Sequence, residues 1–151
     1  MLNRFTQFCS AISMINRAIQ KIERDEMERY GHKGAYAQYL VAMIQYTEGI
    51  TAAQLCELCD RDKAAVSRVL GEMEEKGLVR REGSHYRTKL FLTQAGREAA
   101  QFVCDRAVVA VLEAGKGLSD EDRAVFYASI NLIASNLQML SRDGLPEVKG
   151  D

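Results

Sequence analysis

The sequence predicts a mainly α-helical chain with one small β-hairpin in its middle third. Three observations predict this. Apolar residues recur at alternating spacings of three and four near both ends of the chain. Two short amphipathic helical patterns stand back to back between Thr51 and Gly77. Directly after them come two stretches of β-formers, split by Gly83-Ser84.

Taken in order, the first element runs from about Leu2 to Tyr30. Phe5, Phe8, Ile12, Ile15, Ile19 and Ile22 are spaced 3, 4, 3, 4, 3, which is a heptad seam. A free-standing coiled coil needs ~3–4 sustained heptads, so the seam suits a helix packed on partners, helices of a second subunit among them. The polar stretch Glu23 to Arg29 reads as its solvated last turns. Gly31-His32-Lys33-Gly34 is a turn. Tyr36 to Tyr46 then forms a second helix on Tyr39, Leu40, Met43 and Ile44, and Gly49 ends it.

Thr51 and Gln54 have capping-box spacing, in which hydroxyl and amide satisfy unpaired backbone donors at a helix start. Leu55, Cys56 and Cys59 fall on one face of that helix. Asp60-Arg61-Asp62 breaks the apolar run, and Asp62 is an N-cap for the next helix because its carboxylate accepts from first-turn amides. Val66, Val69, Leu70 and Met73 are that helix's buried stripe, and Gly77 is the residue past its end. Two helices with so little between them form an αα-corner, of which the helix-turn-helix is one kind. The outer face of the second carries Lys63, Ala64, Ala65, Ser67, Arg68 and Gly71. Small residues let a backbone approach the major groove, while Ser and Arg reach base edges or phosphates. The bland alternative is an ordinary solvated face.

The residues after Gly77 favour DNA. Leu78 to Glu82 is a short strand, Gly83-Ser84 a turn, and Tyr86 to Leu92 strand-like again. A helix-turn-helix followed by a β-hairpin is a winged helix. The hairpin carries Arg81, His85, Arg87 and Lys89, suited to phosphates or to the narrow, negative minor groove. Thr93 caps a third long helix reaching about Gly115, with Ala99, Phe102, Val103 and Val109 apolar and Val108, Val111 and Leu112 broadening the face. Ser119 and Asp122 open the last helix as a second capping box. Its seam of Phe126, Ile130, Ile133, Leu137 and Leu140 is spaced 4, 3, 4, 3. A frayed tail from about Arg142 is expected.

The run from ITAAQL through DKAAVSRVLGEMEEKGLV to RTKLFLTQAGRE, with its wing-to-helix junction LTQAG, resembles the MarR family of bacterial transcription regulators. Two places depart from the family pattern. His85 stands where family wings usually carry an Asp two residues before the wing arginine, here Arg87. Arg61 occupies a turn position that is more usually apolar. The resemblance implies a winged helix-turn-helix core flanked by N- and C-terminal dimerisation helices. The expected boundaries are a dimerisation helix over 1–30, the DNA-binding domain over 34–92, C-terminal dimerisation helices over 93–142 and a flexible tail over 143–151. It also implies a homodimer on double-stranded DNA, most often as a repressor, with a small effector held near the junction where Tyr30, Tyr36, Tyr39 and Tyr46 cluster. Tyrosines at such a junction are more often packing than ligand contacts. Lys63, Ala65, Ser67 and Arg68 would meet the major groove; Arg81, His85, Arg87 and Lys89 would meet the backbone or minor groove. A twofold dimer sets half-sites ~34 Å apart, hence a near-palindromic operator.

Charge distribution agrees. The 151-residue chain carries a net −1, but Arg61 to Arg97 holds nine basic residues against five acidic ones, +4, leaving −5 for the rest. Phosphate contact depends on the local field, not the total. No apolar run is long enough for a membrane span, and the N-terminus lacks a signal-peptide layout, so a cytoplasmic protein is expected. Cys56-x-x-Cys59 lies within a helix without a second ligand pair, so both read as small core hydrophobes and no metal or cofactor is expected. Cys9 is the single candidate for a peroxide-sensing thiol of the kind some MarR members carry in an early helix; helix packing is its plainer role. No nucleophile with a base, and no phosphate-binding glycine loop, points to an enzyme. A protein-binding winged helix is the alternative, and the basic wing and helix face speak against it.

Overall fold

The computed structural model describes residues 2–84 and 88–146. The elements are α1 (Leu2–Tyr30), a 3-10 turn (Gly34–Tyr36), α2 (Ala37–Met43), α3 (Ala52–Cys59), α4 (Lys63–Glu75), β1 (Val79–Glu82), β2 (Lys89–Leu92), α5 (Gln94–Ala114) and α6 (Asp120–Asp143). The chain divides into two units, Met1–Ala110 and Val111–Asp151. No described helix is long and apolar enough to cross a membrane. The expected tail from 143 lies outside the described residues beyond Leu145 and Pro146.

The helix starts and stops follow local chemistry. At α3 both halves of the capping box form: Gln54 N–H donates to Thr51 Oγ1 at 3.2 Å, and Thr51 N–H donates to Gln54 Oε1 at 2.9 Å. Asp62 caps α4 by accepting from Ala65 N–H at 2.9 Å. Loss of such a cap costs about 1 kcal/mol. Gly77, at φ +69°, ends α4. Val66, Leu70 and Met73 are wholly buried and Val69 nearly so, as the stripe predicts. That stripe anchors α4 against Tyr36, Leu40, Leu55 and Leu78 in a single core. Leu70→Ala there would cost about 2–5 kcal/mol.

β1 and β2 pair antiparallel, Val79 opposite Leu92 and Glu82 opposite Lys89. Ile50, between α2 and α3, adds an antiparallel bridge to β2: Leu90 N–H donates to its carbonyl at 2.8 Å, and its own N–H donates back at 3.0 Å. The hairpin is thereby stitched to the segment that enters the helix-turn-helix. At the wing-to-helix junction Thr93 does two jobs. Its hydroxyl donates to Gly77 carbonyl at 2.6 Å and accepts from Gly96 N–H at 3.0 Å. Gly96 permits a close crossing, since a Cβ there would lie 2.0 Å from the Leu78 carbonyl oxygen. The LTQAG run therefore seats the first turn of α5 on the exit from α4.

Four expectations need correction. The second helix is shorter than Tyr36 to Tyr46: it opens as a 3-10 turn and closes at Met43. The last turns of α1 are solvated only in part: Arg24, Glu28 and Arg29 are exposed, but one face is buried. Met27 is wholly buried, and Glu26 is a buried carboxylate accepting from Arg29 Nη1 at 2.8 Å and from Arg106 Nε of α5 at 3.2 Å. Two guanidinium partners make that burial tolerable. At α6, Ser119 accepts from Asp122 N–H at 3.0 Å, but the Asp122 carboxylate takes the Ser119 hydroxyl rather than a backbone donor, so the box is half formed. In α5, Ala99 and Val103 are buried as expected, whereas Val108, Val109 and Leu112 are exposed.

Candidate nucleic-acid interface

The outer face of α4 is open. Lys63, Ser67 and Arg68 are exposed and Ala65 is half-buried. Among the described residues the side chains of Lys63, Ser67 and Arg68 make no hydrogen bond or ion pair, so their donors are available to a partner. The stripe continues past Arg68 to Gly71, where a Cβ would meet nothing within 4 Å beyond its chain neighbours and the helix's own backbone. Mid-helix glycine is about 1 kcal/mol less favourable than alanine, and nothing inside the chain requires it. A bare helix backbone beside Ser67 and Arg68 is what close approach of a duplex needs.

The basic residues of the hairpin behave differently. Side chains alternate along a strand, so the register separates them. Arg81 lies opposite Leu90 on the face that also carries buried Val79 and Leu92. It reaches back to α4, where its Nε donates to both carboxylate oxygens of Glu74 at 2.8 Å. Lys89 lies on the other face and donates to the Glu48 carbonyl at 2.8 Å. Arg80, absent from the sequence-predicted set, shares the Lys89 face, with its guanidinium 4.6 Å from the centroid of the Phe91 ring. It also pairs with Glu82. His85 and Arg87 lie outside the described residues. Arg81 and Lys89 are therefore brought onto one hairpin but not onto one face.

A second polar cluster borders α4. Lys33 Nζ donates to Glu72 Oε2 at 2.7 Å, and Tyr36 OH donates to the same oxygen at 3.1 Å. The hydrogen bond from Lys33 holds the Glu72 carboxyl below the usual carboxylate range and raises Lys33, while burial raises the Tyr36 phenol. In the sequence Lys33 reads only as part of the Gly31–Gly34 turn. Its only sequence signal was a lysine directly before Gly34, which is too weak to single it out.

Tyr36 and Tyr39 are core residues at 1% and 2% exposure, whereas Tyr30 and Tyr46 are exposed. Tyr30 stacks against Phe102 of α5, ring centroids 5.0 Å apart. Tyr36 and Tyr39 thus serve the core, and Tyr30 packs on α5. Beside them a groove of about 570 Å³ opens between α1, α2 and the α3–α4 turn, walled by Ile19, Glu23, Gln38, Leu58 and Arg61 among others. Cys59 lines it too; burial pushes its thiol up to about 11, which keeps it protonated and unreactive at neutral pH. Cys9 is exposed on α1. Among the described residues no group of three or more His, Cys, Asp or Glu side chains could hold a metal ion.

A corner of two helices, the second presenting unpaired cations, followed by a stitched hairpin, defines a winged helix-turn-helix protein. Residues 30–85 match the MarR family model. The fold is similar to that of a MarR family transcriptional regulator from Listeria monocytogenes solved with a 26mer DNA (TM-score 0.73, 19% identity, 93% of this chain and 97% of that one). It is also similar to a MarR transcriptional regulator from Methanosarcina mazei Go1 (TM-score 0.76, 20% identity, 88% and 90%). A third similar fold is a MarR family protein from Bacillus stearothermophilus (TM-score 0.76, 14% identity, 91% and 98%). No curated protein matches the chain by sequence. The resemblance to the MarR family thus rests on residues 30–85 by sequence and on the fold by structure.

Proposed function

We propose that this chain is a cytoplasmic, non-enzymatic transcription regulator that binds a near-palindromic operator as a homodimer and acts as a repressor. Lys63, Ala65, Ser67 and Arg68 meet the major groove. Arg81, His85, Arg87 and Lys89 meet the backbone or minor groove. The observation that carries this reading is the outer face of α4, where exposed donors stand without internal partners beside a helix backbone kept bare at Gly71. The DNA present with the Listeria protein supports the same reading.

Dimerisation is supported by apolar seams left open in each unit. Phe5, Phe8, Ile12 and Ile15 of α1 are 66%, 38%, 37% and 47% exposed, and Phe126, Ile133 and Leu137 of α6 are 45%, 40% and 51% exposed. Full burial of an exposed apolar side chain is favourable by about 1.5–3 kcal/mol; these side chains are already partly covered, so a second copy would gain a fraction of that at each. A small effector is supported by the groove beside α1, α2 and the α3–α4 turn, since a ligand there would favour one setting of α4 over another through differential affinity.

Fluorescence anisotropy with duplexes from the region upstream of the protein's own gene tests the DNA reading, and light scattering tests the dimer. Tight, salt-sensitive binding to one duplex over a scrambled one, by a species of twice the chain mass, is expected. A monomer at micromolar concentration, or equal binding to both duplexes, would overturn the reading.

A further inference from the structure

We infer that Lys33, which lies outside both the helix-turn-helix and the wing, is a further contact of this chain with the phosphate backbone of DNA, positioned by Glu72 and Tyr36. The inference rests on the DNA-binding reading above and extends its footprint to the turn between α1 and α2.

The turn is held from several sides. Gly34 packs so closely on α1 that a Cβ there would lie 2.8 Å from Glu28 Oε1 and 3.1 Å from the Arg24 carbonyl oxygen. Tyr36 N–H donates to the Lys33 carbonyl at 3.0 Å, and the Tyr36 ring is 1% exposed. The backbone of Lys33 is therefore fixed against the core. Its ammonium is then aimed by one carboxylate oxygen, Glu72 Oε2, at 2.7 Å. An ammonium has three donors, one is used here, and the side chain remains 64% exposed. The others face solvent.

The setting fits a phosphodiester. Glu72 stands one helical turn beyond Arg68 on α4, and both Lys33 and Glu72 feel the Arg68 charge. Lys33, Arg68 and Glu72 together carry a net +1. Between Arg68 and Glu72 lies Gly71, with open space around its backbone. Arg68 and Glu72 share one face of α4 a turn apart, so a strand passing along that face would meet Arg68 and then Lys33. The pairing also accounts for a carboxylate beside the interface: an unpaired Glu72 would repel phosphate, and Lys33 neutralises it.

The competing account is that Lys33 is only the counterion of Glu72. Salt dependence separates the two, because removing one phosphate contact reduces the slope of log K against log[salt] by about 0.9. The variants are Lys33→Gln, Glu72→Gln and the double, each measured on the upstream duplex and a scrambled duplex from low to high salt. Lys33→Gln is expected to weaken both duplexes alike, several-fold at physiological salt, and to reduce the slope by about one. The decisive comparison removes the carboxylate: Lys33→Gln in the Glu72→Gln background should still show that reduced slope relative to Glu72→Gln alone, while Lys33→Arg keeps the slope unchanged. If the double variant matches Glu72→Gln in affinity and slope, Lys33 is a counterion and the inference fails while the DNA reading stands. If the wild-type chain binds neither duplex, the DNA reading fails and takes this inference with it.

Discussion

The outer face of α4 and the hairpin are both rich in cations, yet they differ in what those cations already hold. On α4, Lys63 and Arg68 have no hydrogen-bond or ion-pair partner among the described residues. On the hairpin, Arg80 lies over Phe91, Arg81 is bound to Glu74, and Lys89 is bound to the Glu48 carbonyl. A cation that must release an internal partner gains less on meeting phosphate than one facing only water, because part of its new contact replaces an old one. The difference teaches that basic composition overstates an interface. Arg81 and Lys89 tie the wing to the segments around the helix-turn-helix, and Arg80 is held within the hairpin by Phe91 and Glu82.

The largest expected effect is therefore on α4. Arg68→Ala should weaken binding to the preferred duplex by ~1–3 kcal/mol while changing scrambled DNA far less, as expected for a bidentate base contact. Equal loss on both would move Arg68 from base reading to backbone contact. Next in size is Gly71→Ala, where two readouts should move in opposite directions. Nothing in the protein meets the added methyl, so chemical denaturation should show a gain of about 0.5–1 kcal/mol. DNA affinity should fall, because the methyl stands where the duplex approaches. A variant more stable and equally tight on DNA would show that the bare backbone is not part of the interface.

How far these contrasts were legible in the sequence depends on the range of the interaction. The Thr51–Gln54 box, the Asp62 cap and the Val66–Met73 stripe are set within one helix, so spacing alone revealed them. The ties that sort the cations are not local. Lys33 meets Glu72 and Lys89 meets Glu48 at sequence separations of 39 and 41, and no periodicity encodes such choices. Arg81 with Glu74 spans only seven residues, but it crosses from strand to helix, and the alternation of the hairpin had to be known before its side could be assigned. Glu26 escaped for the same reason: a run of charges reads as solvated until Arg106, 80 residues away, is seen to satisfy it. The seams of α1 and α6 were visible as apolar spacing, but spacing does not state what covers them. Phe5 and Leu137 remain exposed within this chain.

On the hairpin the effects should be smaller. Lys89→Ala should weaken preferred and scrambled duplexes alike and reduce the salt slope by at most about one. It also removes the bond to the Glu48 carbonyl, so a lower thermal midpoint should accompany it. A lowered midpoint with an unchanged slope would assign Lys89 wholly to holding the wing.

The smallest expected effect belongs to Arg81 and Glu74, and it probes the contrast most directly. Both side chains are partly exposed, 41% and 29%, so the pair should contribute only about 0.2–1 kcal/mol to stability in a double-mutant cycle. Glu74→Gln removes the anionic partner without shortening the side chain. Arg81 is then free to turn toward phosphate, and one negative charge leaves the neighbourhood of α4. Both changes act in the same direction, so binding to any duplex should tighten, with a steeper salt dependence than wild type. Arg81→Ala in that background should abolish the part of the gain that came from the released guanidinium and leave the part that came from the removed charge. If Arg81→Ala instead weakens DNA binding as much with Glu74 present as without it, the internal ion pair does not restrain the arginine, and the distinction between free and engaged cations fails at the position where it is drawn most sharply.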